Sequence, residues 1–226
     1  MQTYDHIQAI TFDVGGTLIQ PYPSVGHVYA GIAERRTGQV FQPERLNRRF
    51  AAAWKARGDF QYTRTDWERL VDGLFEGMTD QPPSRTYFAE LYDYFTEASA
   101  WSIHGDVLPA LEDLTMRGYR LAVVSNWDER LRPLLRNLKL DGFFGTIVVS
   151  CEVAFTKPSP VMFEVATHKL GVNSSELLHV GDSAVEDYEG ARAAGLNSLL
   201  LDRDGIFEEH RRITSLDQLC ALLPVR

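Results

Sequence analysis

Cysteine is scarce in this chain: two among 226 residues, Cys151 and Cys220. They stand far apart with no metal-ligand spacing, which excludes a disulfide framework and a cysteine-based zinc site and fits a reducing compartment. Long apolar runs are missing too. None approaches the about 18 residues that a membrane-spanning helix needs, so no membrane partner is expected. Basic residues are outnumbered, 23 Lys and Arg against 31 Asp and Glu for a net charge of −8, which argues against nucleic acid or anionic lipid as a general partner. The first six residues lack the basic-then-apolar layout of a signal peptide. A cytoplasmic protein is expected. No internal repeat or low-complexity segment interrupts the chain.

What is present suits a large core. Hydrophobic residues make up 44% of the chain, with twelve Phe and four Trp, and disorder is excluded on that composition. Five short apolar, β-branched segments read as strands, at residues 7–12, 119–124, 146–150, 177–180 and 198–201. Helical patterns separate the later ones, at 128–138, 160–170 and 185–194. Such alternation predicts right-handed crossovers and a mainly parallel sheet covered on both faces, a three-layer Rossmann-like α/β core. Residues from about 21 to 100 carry helical periodicity and no strand pattern. The simplest organisation is a core of residues 1–17 and 101–226 with a helical cap, 18–100, inserted after the first strand. The cap holds ten basic and eleven acidic residues, so most of the acidic excess belongs to the core.

Chemistry-bearing residues gather where the predicted strands end. Asp13-Val14-Gly15-Gly16-Thr17 follows the first strand, Ser125-Asn126 ends the second, Lys157-Pro158 comes after the third, and Gly181-Asp182-Ser183 with Asp187 follows the fourth. In a parallel sheet these loops open onto one rim. A carboxylate can attack phosphorus or an activated carbon. Hydroxyls of Thr17 and Ser125 can hold a phosphoryl oxygen, and Lys157 can neutralise charge beside the nucleophile. Asp182 and Asp187 add the hard oxygen ligands that Mg²⁺ takes.

In this order the four motifs resemble the haloacid dehalogenase superfamily, in particular its members with a helical cap after the first motif, over nearly the whole chain. The resemblance implies Asp13 as nucleophile and metal ligand, with the Gly15 carbonyl and Asp182 as further Mg²⁺ ligands and Asp187 supporting the metal directly or through water. It also implies that Thr17, Ser125, Asn126 and Lys157 belong to the catalytic set. The function expected is Mg²⁺-dependent hydrolysis of a small phosphorylated metabolite through an aspartyl-phosphate, with the cap closing over the rim. The substrate's identity and the oligomeric state stay open.

One position departs from that pattern. Phosphatases of the superfamily carry an aspartate two residues after the nucleophile, which protonates the leaving group and then activates water; this chain has Gly15. Losing such a group costs about 10²–10⁴-fold in rate. The leaving group can be one that needs little protonation, such as an acyl phosphate; another side chain can stand in, with His27, His104, Asp128 and Glu152 as candidates; or turnover is feeble. Asp128 also reads as the N-cap of the helix that follows it. The 2-haloacid dehalogenases of the superfamily also lack the second aspartate, which keeps a dehalogenase reading open, but they resemble Ser-Ser-Asn where this chain has Gly181-Asp182-Ser183. A catalytically weak binding or regulatory protein is the third reading. In the cap, Arg45, Arg48 and Arg49 share a helix face, solvated or meeting an anionic substrate. Tyr22, Tyr29, Trp54 and Trp67 pack the helices or line a pocket.

Overall fold

The computed structural model describes residues 4–207 and 211–225, and within them the chain forms two compact units. One contains the chain up to Ile19, Ile103–Glu129 and the chain from Lys139; the other contains Gln20–Ser102 and Arg130–Leu138. The strands, in chain order, are β1 (Ala9–Phe12), β2 (Ile19–Pro21), β3 (Trp101–Ile103), β4 (Arg120–Ser125), β5 (Thr146–Val149), β6 (Leu177–Gly181), β7 (Asn197–Leu201) and β8 (Arg212–Ile213).

Six of them form a parallel sheet in the order β5-β4-β1-β6-β7-β8, while β2 and β3 pair separately. The central strands are buried along their length, as a sheet covered on both faces requires. Ala9, Ala122, Val124 and Val148 pack with Met162, Phe163 and Ala166 of the helix Pro160–Leu170. The alternate residues Ile10, Phe12, Leu121 and Val123 are buried on the opposite face, where the helix Val107–Met116 meets β4. This is the expected Rossmann-like α/β core. From β1 the chain builds outward through β4 and β5 on one side, then through β6, β7 and β8 on the other. The order therefore switches at β1, and the crevice beyond its C-terminal end is where such folds bind ligands.

The helix at 160–170 matches its sequence pattern because both ends are marked. Pro160 opens it, where a missing N–H costs nothing, and Gly171 closes it in the left-handed region at φ 62°. Two other helices differ from expectation. The 128–138 pattern becomes a helix only over Leu131–Asn137, with Arg130 and not Asp128 at its N-cap position; Asp128 is fully buried instead. The 185–194 pattern begins with a π-helical turn, Ala184–Glu189, before the short helix Gly190–Ala193.

The second unit is helical. Ser24 caps Val25–Thr37 by accepting from the His27 N–H, and Thr63 with Asp66 forms a capping box on Arg64–Phe75. Its core is aromatic: Tyr29 packs against Phe50, Phe75 and Phe95, with ring centres 6.5, 6.5 and 5.6 Å apart. Trp54 and Trp67 stack on each other, whereas Tyr22 is 58% exposed. Arg49 leaves the basic face proposed by its spacing and donates to the Leu74 and Glu76 carbonyls at the end of Arg64–Phe75, while Arg45 and Arg48 are exposed. Arg130 joins this unit by placing its guanidinium 3.5 Å from the Tyr92 ring centre and donating to the Tyr92 carbonyl. Among the described residues no helix is long and apolar enough to cross a membrane.

Candidate active site

Parallel register brings the motif residues together. Phe12 lies level with Val123 of β4 and Val180 of β6, so Asp13 leaves the sheet between Val124 and Gly181. The Asp13 N–H donates to the Val180 carbonyl at 2.9 Å and holds the start of the loop. Gly16 follows at φ 81°, and a Cβ there would sit 2.3 Å from Asp182 Oδ2. Glycine is needed at 16 for the turn and for the approach of the Asp182 carboxylate. Gly181 serves Asp187 in the same way, since a Cβ on it would lie 2.2 Å from Asp187 Cγ.

Asp13 is nearly buried, and its Oδ1 accepts from Ser125 Oγ at 2.9 Å and Lys157 Nζ at 2.7 Å. Its Oδ2 accepts no hydrogen bond among the described residues, which leaves that oxygen's lone pairs available. Lys157 Nζ spends its other two protons on the Val124 carbonyl at 2.9 Å and Asp187 Oδ1 at 2.5 Å. Asp187 is held further by the Ser183 N–H on Oδ2, and its Oδ1 meets His179 Nε2 at 3.1 Å. His179 Nδ1 lies 2.9 Å from Thr11 Oγ1. With Asp187 ionised, these contacts assign His179 as the neutral tautomer, donating from Nε2 to Asp187 and accepting the Thr11 hydroxyl at Nδ1. A chain of hydrogen bonds thus runs from Thr11 inside β1 to the Asp13 carboxylate.

The charges do not balance. Burial alone would lower the Lys157 pKa, but Asp13 and Asp187 outweigh it and hold the ammonium firmly protonated. Burial would likewise raise Asp187, yet Lys157 and then His179 pull it well below the usual carboxylate range. Burial depresses His179 despite the neighbouring carboxylate. Asp13 ends up raised: burial is the largest cause, and the Lys157 charge only partly offsets it. Asp182 is the group left without a cation. Its carboxylate is open to solvent on one side, and its one side-chain hydrogen bond among the described residues comes from Thr17 Oγ1, at 3.3 Å. Desolvation, then the Asp13 and Asp187 charges, push it up to about 7. Oxygens of Asp13, Asp182 and Asp187 lie within 4.8 Å of one another. Three hard donors and a surplus of negative charge suit a small divalent cation.

Asn126 has a structural task. Its amide nitrogen donates to the Lys157 carbonyl at 3.0 Å and to Glu186 Oε2 at 3.1 Å, and its oxygen accepts the Lys157 N–H at 2.6 Å. Thr17, expected to hold a phosphoryl oxygen, directs its hydroxyl to Asp182 Oδ1 at 3.3 Å. Of the proposed stand-ins for the missing acid, His27 belongs to the other unit and contacts Ser24. His104 lies beside Arg203 and Asp106, with burial and the Arg203 charge lowering its pKa. Glu152 is exposed and Asp128 buried. Sequence reasoning missed His179 altogether. Its only signal was a histidine inside a fully apolar, buried strand, which must find partners.

With this geometry in place, similarity to known proteins becomes informative. The description "Hydrolase: haloacid dehalogenase-like hydrolase" matches residues 7–195, a span that contains every motif above. The chain belongs to the haloacid dehalogenase-like hydrolases. It is 31% identical to "Haloacid dehalogenase-like hydrolase domain-containing protein 3" of Danio rerio, over 96% of each chain. It is 28% identical to "(S)-2-haloacid dehalogenase 4A" of Burkholderia cepacia, over 97% of this chain and 96% of that one. The fold superposes on the putative HAD-hydrolase YfnB from Bacillus subtilis bound to magnesium with a TM-score of 0.80, at 18% identity and with 97% and 99% of the two chains covered. Membership of this hydrolase family implies a small-molecule substrate.

Proposed function

We propose that the protein is a Mg²⁺-dependent phosphatase that works through an aspartyl-phosphate on Asp13. The observation that carries this reading is the cluster of Asp13, Asp182 and Asp187 beside a single lysine. Asp13, Asp182 and the Gly15 carbonyl would hold the metal, with Asp187 supporting it from behind, since Lys157, His179 and the Ser183 N–H already occupy its oxygens. A bound Mg²⁺ would neutralise phosphate charge that Asp13 otherwise repels.

The remaining chemistry belongs to the chain. Ser125 and Lys157 fix Asp13 through Oδ1 and leave Oδ2 to attack phosphorus. The new P–O bond forms as the bond to the leaving group breaks, and the leaving group departs with that electron pair. Water then attacks phosphorus, the P–O bond to Asp13 breaks, and the water proton leaves with inorganic phosphate or solvent. Gly15 offers no carboxylate to either step, which favours substrates with good leaving groups. The inserted helical unit takes the role of a substrate-selecting cap.

Dehalogenation is favoured by Gly15 and by the dehalogenase relative. Asp182 opposes it, because a carboxylate there repels a haloacid's own carboxylate. The deciding assay is phosphate release with and without Mg²⁺ from wild type and Asp13→Asn. Release that needs both Mg²⁺ and Asp13 supports the proposal. Metal-independent halide release from 2-chloropropionate overturns it, and no turnover of either substrate class points to a binding protein.

A further inference from the structure

Nothing in the backbone requires glycine at position 15. Gly16 adopts φ 81°, but Gly15 lies outside the left-handed region, so other residues could take its conformation. What limits the position is one side chain. A Cβ built on Gly15 would meet Trp127 Cζ3 at 3.1 Å and Cη2 at 3.8 Å, and nothing else within 4 Å among the described residues apart from its chain neighbours. The six-membered ring of the indole therefore stands where a longer side chain would begin.

Trp127 is poorly placed to retreat. Its N–H donates to Ser150 Oγ at 3.0 Å, and its carbonyl accepts from the Ser150 hydroxyl at 2.9 Å and the Cys151 N–H at 3.3 Å. These bonds tie the backbone of the residue after Asn126 to the end of β5, so the ring has to yield through its own side-chain torsions, by a few tenths of an ångström for a Cβ and by more for a longer side chain. Its atoms facing Gly15 are carbons, which can neither give nor take a proton.

We infer that Trp127 fills the acid–base position: the indole occupies the room beside the nucleophile loop that an aspartate at 15 would need, and so confines turnover to phosphates whose leaving group departs as a stable anion. Trp127 is on this view a specificity-determining residue, paired with Gly15 as one unit. The substrate class follows from leaving-group basicity. A carboxylate, with a conjugate acid near pKa 4, or a phenolate, near about 10, can leave without a proton. An alkoxide, as basic as hydroxide with its parent pKa of about 16, cannot. Acyl and aryl phosphates are therefore accepted and alkyl phosphates refused. The packing half stands alone; the substrate half rests on the phosphatase reading.

A double-substitution design tests both halves. Thermal unfolding of wild type, Gly15→Asn, Trp127→Ala and the double variant reports packing without any activity. The asparagine has the shape of aspartate and adds no charge. Gly15→Asn should lower Tm markedly when Trp127 is present and little when it is alanine; equal shifts in the two backgrounds overturn the pairing. For the substrate half, kcat/KM is measured with acetyl phosphate, 4-nitrophenyl phosphate and glycerol phosphate on wild type, Gly15→Asp and Gly15→Asp/Trp127→Ala. In the double variant the ratio of kcat/KM on glycerol phosphate to that on acetyl phosphate should rise by at least about 10²-fold, the lower range of acid–base assistance. In Gly15→Asp alone it should not. If the ratio rises as much in Gly15→Asp alone, or not at all in the double variant, Trp127 does not set the preference. If wild type hydrolyses none of the three, the phosphatase reading fails and the preference with it, while the unfolding cycle still decides whether Trp127 holds the position.

Discussion

Replacing Lys157 with methionine keeps most of the stem and removes the charge. Lys157 is 3% exposed, and its ammonium is shared between Asp13 and Asp187. Without it, Asp13, Asp182 and Asp187 crowd within 4.8 Å with no compensating lysine. Removing one partner of a buried ion pair costs about 3–5 kcal/mol, because a charge is left buried and unpaired. In a domain of this size each kcal/mol moves Tm by about 2–4 °C, so the metal-free variant should melt about 6–20 °C below wild type. The contribution of Asp187 to the pH dependence should change sign. In wild type Asp187 titrates below its unfolded value, so its contribution is present above about pH 4 and is lost as pH falls through the depressed folded pKa. In Lys157→Met burial dominates and raises Asp187. A raised carboxylate binds more protons folded than unfolded, so stability falls as pH rises from about 4. The deficit between variant and wild type should therefore shrink toward acid pH, and Mg²⁺ should raise Tm more in the variant than in wild type. The assay is calorimetric melting from pH 4 to 8 with Mg²⁺ or EDTA. Equal melting temperatures and parallel pH curves would refute the charge account.

Other outcomes follow from the same geometry. Asp182 must lose a proton to bind a cation, and its pKa sits at about 7 in the metal-free protein. Mg²⁺ affinity should therefore rise toward pH 7 and level off above it, with titration calorimetry in buffers of different protonation enthalpy showing proton release that fades across that range. Gly16→Ala forces a Cβ into the left-handed region and onto Asp182. It should cost about 1–2 kcal/mol in strain and weaken Mg²⁺ binding; unchanged Mg²⁺ affinity would contradict this reading of the loop. Ser125→Ala removes one hydrogen bond to the buried Asp13 carboxylate. At about 1.5–3 kcal/mol of stability for a bond to a charged group, and about 2–4 °C per kcal/mol, the metal-free variant should melt about 3–12 °C below wild type, and an unchanged Tm would show that this bond does not hold Asp13.

The core was legible because a parallel sheet buried on both faces needs continuous apolar strands, and β1, β4, β5, β6 and β7 all show them. β8 was not, since the two residues Arg212 and Ile213 carry no period; β2 and β3 are three residues each. The π-helical turn that opens the 185–194 segment, Ala184–Glu189, was hidden because its spacing is one that a 3.6-residue period does not reveal. The carboxylates, Ser125 and Lys157 were readable because each stands just past a strand end. His179 was not, because it sits inside one, and the Trp127 ring over Gly15 is a contact between loops distant in sequence, of which neither segment carries a local sign. Asp128 looked like a cap from its neighbours alone, but burial decided otherwise.

The central claim is that Asp13 carries a phosphoryl group during turnover. Mixing the protein with acetyl phosphate and Mg²⁺, quenching in acid and mapping peptides by mass tests it most directly. With no acid–base group at position 15 to hasten its hydrolysis, the intermediate should persist long enough to trap. One phosphoryl group on the peptide containing Asp13, absent with EDTA and absent in Asp13→Asn, is the predicted result. An unmodified Asp13 peptide under conditions of measured turnover, or one modified only by a 2-haloacid without metal, would contradict the account.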